Sequence, residues 1–129
     1  MIVSGNRPTI LLVCPAPVMR AVLREVLDGA QYNVEAVSGL GGAVDRLKRI
    51  KPDLLVVRSY LNSIEGHDAA VYLRTKCPGM KVLILSGMLD DDRLLRRERL
   101  ESFEIFPKPY TAQELLQKVE QALGAAVES

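Results

Sequence analysis

The chain has 129 residues, 48% hydrophobic and 26% charged, with a formal net charge of +1. That balance suits one ordinary globular domain. Near-neutral charge, with four Tyr, two Phe and no Trp, argues against a nucleic-acid surface or an anionic membrane as partner.

Cys14 and Cys77 are too few and too isolated for a disulfide framework or a zinc site. Free thiols in a reducing, cytoplasmic setting are expected. No apolar run approaches the roughly 20 residues of a membrane span, and residues 1–8 lack the apolar segment of a signal peptide. Those first eight residues are expected to be flexible.

In chain order, the first structural signal is Ile10-Leu11-Leu12-Val13, an uninterrupted apolar run of the kind found in strands covered on both faces. Met19, Val22, Leu23, Val26 and Leu27 then fall on one face of a helix. Pro17 lies near its start and Gly29 is the expected C-terminal cap. Residues 33–37 are a weaker strand candidate. The glycines of "SGLGGA", residues 38–43, lack dinucleotide-loop spacing and read as a strand-to-helix turn. Ala43, Val44, Leu47 and Ile50 form a second helical stripe, halted by Pro52.

A second apolar run, Leu54-Leu55-Val56-Val57, leads straight into Arg58. Residues 66–76 predict a helix with the only histidine, His67, at its start; no nucleophile is implied beside it. Val82-Leu83-Ile84-Leu85 is the third run. Residues 91–101 predict a highly charged helix carrying Arg93, Arg96, Arg97 and Arg99, with Asp90, Asp91 and Asp92 suited to its positive N-terminus rather than to a metal. A strand is expected over 103–106. Thr111 and Glu114 are spaced as a capping box, opening a helix whose inner face is Leu115, Leu116, Val119 and Leu123.

Strand–helix alternation of this kind predicts an α/β domain over residues 9–124, with a parallel sheet, right-handed crossovers and helices on both faces; residues 125–129 are expected to be flexible. Ligands of such sheets bind beyond the carboxyl ends of the strands. Residues 14–17, 58–62, 86–88 and 107–109 should therefore converge. They supply two cations, three hydroxyls, an amide and a thiol, and no carboxylate at any strand end.

These segments resemble the receiver domain of bacterial two-component response regulators, over about residues 9–123. "ILLVCPAPVMRAVLREVL" resembles the family's first strand and helix, "RIKPDLLVVRSYLNSIEG" its third strand, "VLILSG" its fourth and "FPKPYTAQELLQKV" its fifth with the following helix. The resemblance implies a doubly wound, five-stranded parallel sheet of order 2-1-3-4-5, the flavodoxin-like (βα)5 receiver fold. It aligns the family's metal-binding acidic pair with Cys14 and Pro15, its phosphoacceptor aspartate with Arg58, its switch hydroxyl with Ser86 and its phosphate-pairing lysine with Lys108. The switch aromatic falls on Ile105, beside Phe106.

The resemblance thus implies a degenerate receiver with no phosphoacceptor, no metal, no cofactor and no enzymatic activity. It would act through protein partners: a histidine kinase, another receiver or an output protein. A partner surface or homodimer face is expected around Arg93, Arg96, Arg97, Ile105 and Phe106, on the 91–101 helix, the fifth strand and the last helix. Arg58 has three readings: it extends to solvent, it pairs with Glu65 or one of Asp90, Asp91 and Asp92, or it joins Ser86 and Lys108 in binding an anion that gates the domain. Asp53 is expected at the opposite end of its strand, away from this site.

Overall fold

The computed structural model describes residues 7–58, 60–61, 64–86, 104–107 and 111–127. Strand β1 (Thr9–Val13), helix α1 (Pro17–Gly29), β2 (Asn33–Val37), α2 (Leu40–Leu47) and β3 (Leu54–Arg58) follow in turn. A short antiparallel pair comes next, β4 (Tyr60–Leu61) and β5 (Ile64–Glu65), and then α3 (Gly66–Lys76) and β6 (Lys81–Ser86). Strand β7 (Glu104–Pro107) and helix α4 (Ala112–Val127) complete the described elements. The charged helix expected over 91–101 lies outside the described residues.

The main sheet has five strands in the order β2-β1-β3-β6-β7, all parallel. Numbered as sheet strands alone, this is the expected 2-1-3-4-5. The β4–β5 pair was not foreseen, since two-residue strands are too short for alternation to mark them.

Each central strand feeds two cores, because successive side chains point to opposite faces. On one face Leu11, Val13, Leu55, Val57, Val82 and Ile84 meet Ala43 of α2 and Ala69, Ala70 and Leu73 of α3. On the other, Ile10, Leu12, Leu54, Val56, Leu83 and Leu85 meet Leu23 and Leu27 of α1 and Leu115 and Val119 of α4. Fully burying a branched aliphatic side chain contributes roughly 1.5–3 kcal/mol, so this double layer is the main source of stability.

Local chemistry sets the helix ends. Pro17 opens α1 where its missing N–H costs nothing, and no side chain caps that end. Gly29 is not the C-terminal cap that was expected; the cap is Ala30. Gly29 closes the helix, and the left-handed residue is Gln31 (φ 74°). The Gln31 amide donates to Asp28 O (3.0 Å) and the Tyr32 amide to Leu27 O (3.3 Å), the paired bonds of a Schellman motif.

Helix α2 starts at Leu40, three residues before the apolar stripe that announced it. Gly42 explains the close seating of this helix: a Cβ there would lie 3.1 Å from Cβ of Val37 on β2. The capping box of α4 forms as expected, with Thr111 N–H on Glu114 Oε1 (2.8 Å) and Glu114 N–H on Thr111 Oγ1 (3.0 Å).

Asp53 joins three strands at the amino edge of the sheet. Its carboxylate accepts from Thr9 N–H (2.8 Å). Its own N–H donates to Thr9 O (2.8 Å) and its carbonyl accepts from Lys81 N–H (3.1 Å). It lies at the opposite end of β3 from Arg58, as expected.

Candidate functional site

The carboxyl edge of the sheet is built from strand register. Val13 pairs with Val57, so Cys14 and Arg58 come next on neighbouring strands, whose spacing is about 4.8 Å. Arg58 pairs with Leu85, and Ser86 with Pro107. The backbone positions of Cys14, Arg58 and Ser86 therefore gather along one edge, and Ile105 and Phe106 lie in β7. Lys108, Arg93, Arg96 and Arg97 lie outside the described residues.

Cys14 is fully buried and belongs to the core beneath α1 and α4. Its N–H donates to Val37 O (3.0 Å), and its thiol donates to Ala16 O (3.6 Å). The thiol thus points into protein, while Pro15 beside it is half-buried. Both cysteines are free thiols.

Arg58 continues the row Leu54–Val56, which faces α1 and α4. It is half-buried, and its Nε is buried without a hydrogen-bond partner among the described residues. The apolar run before it explains this: Arg58 takes the next core-facing place in the row after Leu54 and Val56.

A second cation stands at this edge that sequence reasoning missed. Arg20, in the first turns of α1, donates from Nη1 to the carbonyl of Cys14 at 2.9 Å. The available signal was its place three residues after Pro17, in the turn that must follow β1 at the carboxyl edge. The apolar periodicity drew attention to the other face of the helix.

His67 is buried at the start of α3, with Nδ1 3.7 Å from Asp68 Oδ1. Among the described residues, no group of three or more His, Cys, Asp or Glu is arranged to hold a metal ion, and no helix is long and apolar enough to cross a membrane.

A sheet of this order, with two helix layers and its candidate site at the carboxyl edge, defines the flavodoxin-like receiver class. The family model of the response regulator receiver domain matches residues 10–120, and the chain belongs to that family of two-component signalling domains. It is 25% identical over 115 residues to the chemotaxis protein CheY of Listeria monocytogenes, covering 88% of this chain and 96% of that protein. It is 26% identical over 103 residues to CheY of Thermotoga maritima, covering 78% and 85%. Among solved structures, a response regulator receiver protein from Sinorhizobium medicae superposes with a TM-score of 0.81 at 26% identity, covering 95% and 98% of the two chains. The signal receiver domain of an HD domain-containing protein from Pseudomonas fluorescens superposes with a TM-score of 0.84 at 23% identity, covering 96% and 100%, a likeness of fold.

Proposed function

We propose that this receiver has lost its phosphoryl switch and acts as a non-enzymatic, phosphorylation-independent protein-interaction module of a two-component system. The observation that carries this reading is the guanidinium of Arg58 at the carboxyl end of β3, where the resemblance puts the phosphoacceptor carboxylate. An arginine cannot form an acyl phosphate.

The neighbouring positions support the same reading. Mg²⁺ is a hard cation that takes oxygen ligands in near-octahedral geometry. Cys14 offers a buried sulfur committed to Ala16 O, and Pro15 offers no side-chain donor. Arg58 would oppose a divalent ion nearby by about 4 kcal/mol per unit charge product at 4 Å and an effective dielectric near 20. These residues do not fit the metal.

The module would contact a histidine kinase, another receiver or an output protein through Arg93, Arg96, Arg97, Ile105 and Phe106, or pair with a second copy there. Its free thiols favour a reducing, cytoplasmic setting. The test is incubation with acetyl phosphate and Mg²⁺ followed by intact mass measurement. An unchanged mass is expected, and an added phosphoryl group would overturn the reading.

A further inference from the structure

We propose that Arg58, Arg20 and the uncapped N-terminus of α1 form a binding site for a phosphate-class oxyanion. The inference rests on the reading that position 58 accepts no covalent phosphoryl group, and it names what that edge takes up instead.

Three observations lead there. The Arg58 Nε is buried and has no hydrogen-bond partner among the described residues. A guanidinium nitrogen withdrawn from water is costly until an acceptor satisfies it. Arg20 brings a second guanidinium to the carbonyl of Cys14, the residue whose register places it beside Arg58 on the adjoining strand. Neither arginine has a carboxylate partner among the described residues, although four other Arg–carboxylate pairs form elsewhere on the domain.

The third observation is the start of α1. The thirteen-residue helix begins at Pro17, has no side-chain cap at Ala16 and no acid in its first turn. The first helical bond there is Arg20 N–H to Ala16 O (2.8 Å). The amides of Val18 and Met19, ahead of it, are therefore the unpaired donors that every helix start presents. Only residues 14–16 separate β1 from this helix, so its positive end stays at the same edge as the two arginines.

Like charges gathered without a counter-ion repel each other, and a tetrahedral oxyanion answers all three groups at once. Arg presents a planar fork of donors matched to phosphate oxygens, and helix amides complete such sites. The site therefore suits inorganic phosphate or the terminal phosphate of a small ester. It lies on the α1 face of the sheet; Lys108, which one reading of Arg58 joined with Ser86 in binding an anion, lies outside the described residues.

The test is calorimetric titration of the full chain with inorganic phosphate and, separately, methyl phosphate, at ionic strength held constant with sodium chloride. Saturable binding of one or both is expected. Binding of the free ion alone assigns the site to phosphate itself, and binding of the ester as well assigns it to phosphomonoesters. Arg58→Gln and Arg20→Gln should each weaken binding by about tenfold, the loss of one charge-assisted contact. Arg58→Lys should fall between, keeping the charge and losing the fork.

A readout on the unmutated chain keeps the idea falsifiable if a variant fails to fold: the amide resonances of Val18 and Met19 should shift during phosphate titration. No saturable binding, stationary amides, or undiminished affinity in folded Arg58→Gln would each overturn the site. A covalent phosphoryl adduct on treatment with acetyl phosphate and Mg²⁺ would instead overturn the proposed function, which keeps the two failures apart.

Discussion

Gln31 occupies a backbone conformation that glycine would adopt more cheaply. Its φ of 74° crowds Cβ against the following carbonyl, at a cost of roughly 1–2 kcal/mol for an L-residue. Gln31→Gly should relieve most of that while adding some unfolded-chain entropy. A net gain of about 0.5–1 kcal/mol is expected in urea unfolding.

The next residue, Tyr32, gives the domain an alkaline limit. Burial, and then the Glu120 carboxylate, raise its phenol above the usual 10.0. Between the ordinary and the raised value the unfolded chain releases the proton first. Stability is therefore full below about pH 10 and is lost as pH rises through the folded value. Melting temperatures measured from about pH 9 to pH 11 should fall less steeply for Tyr32→Phe.

At the scale of an element, α1 separates what periodicity can tell from what it cannot. The stripe Met19, Val22, Leu23, Val26 and Leu27 marked the helix correctly, yet only Leu23 and Leu27 are fully buried; Val22 is 51% exposed. Met19 and Val26 pack partly buried beside Leu23 and Leu27, so the stripe does cover the sheet, with Val22 at its exposed margin. Leu27→Ala should therefore cost about 2–5 kcal/mol through the cavity it leaves, while Val22→Ala should stay within about 0.5 kcal/mol. Thermal unfolding of the two variants checks the contrast. The ends of elements were legible where side chains make them, as with Thr111 and Glu114. They were misplaced where backbone geometry makes them, as with Gly29 and Gln31, because a left-handed residue leaves no mark in hydrophobic spacing.

At the scale of the whole molecule, the parallel sheet and the two cores follow from the apolar runs and the alternation of strand and helix, which were plain in the sequence; the strand order was implied by the family resemblance alone. The site was only partly legible. Arg58 stood out because an apolar strand ended on a charge. Arg20 did not, because its importance lies in the Cys14 carbonyl it reaches, and a backbone acceptor has no signature in the side-chain alphabet. The interaction surface we propose makes a prediction of its own. Reversing charge with Arg96→Glu and Arg97→Glu should abolish capture of the native partner in a pull-down from the source cell. Undiminished capture would remove that surface.

Asp53 and Arg58 sit at opposite ends of one strand, roughly 16 Å apart along its length. Thr9, Asp53 and Lys81 fasten three neighbouring strands at the far end. Such a division of labour makes the domain evolvable: side chains at the carboxyl edge can change while the fastening that keeps the strands in step is left alone.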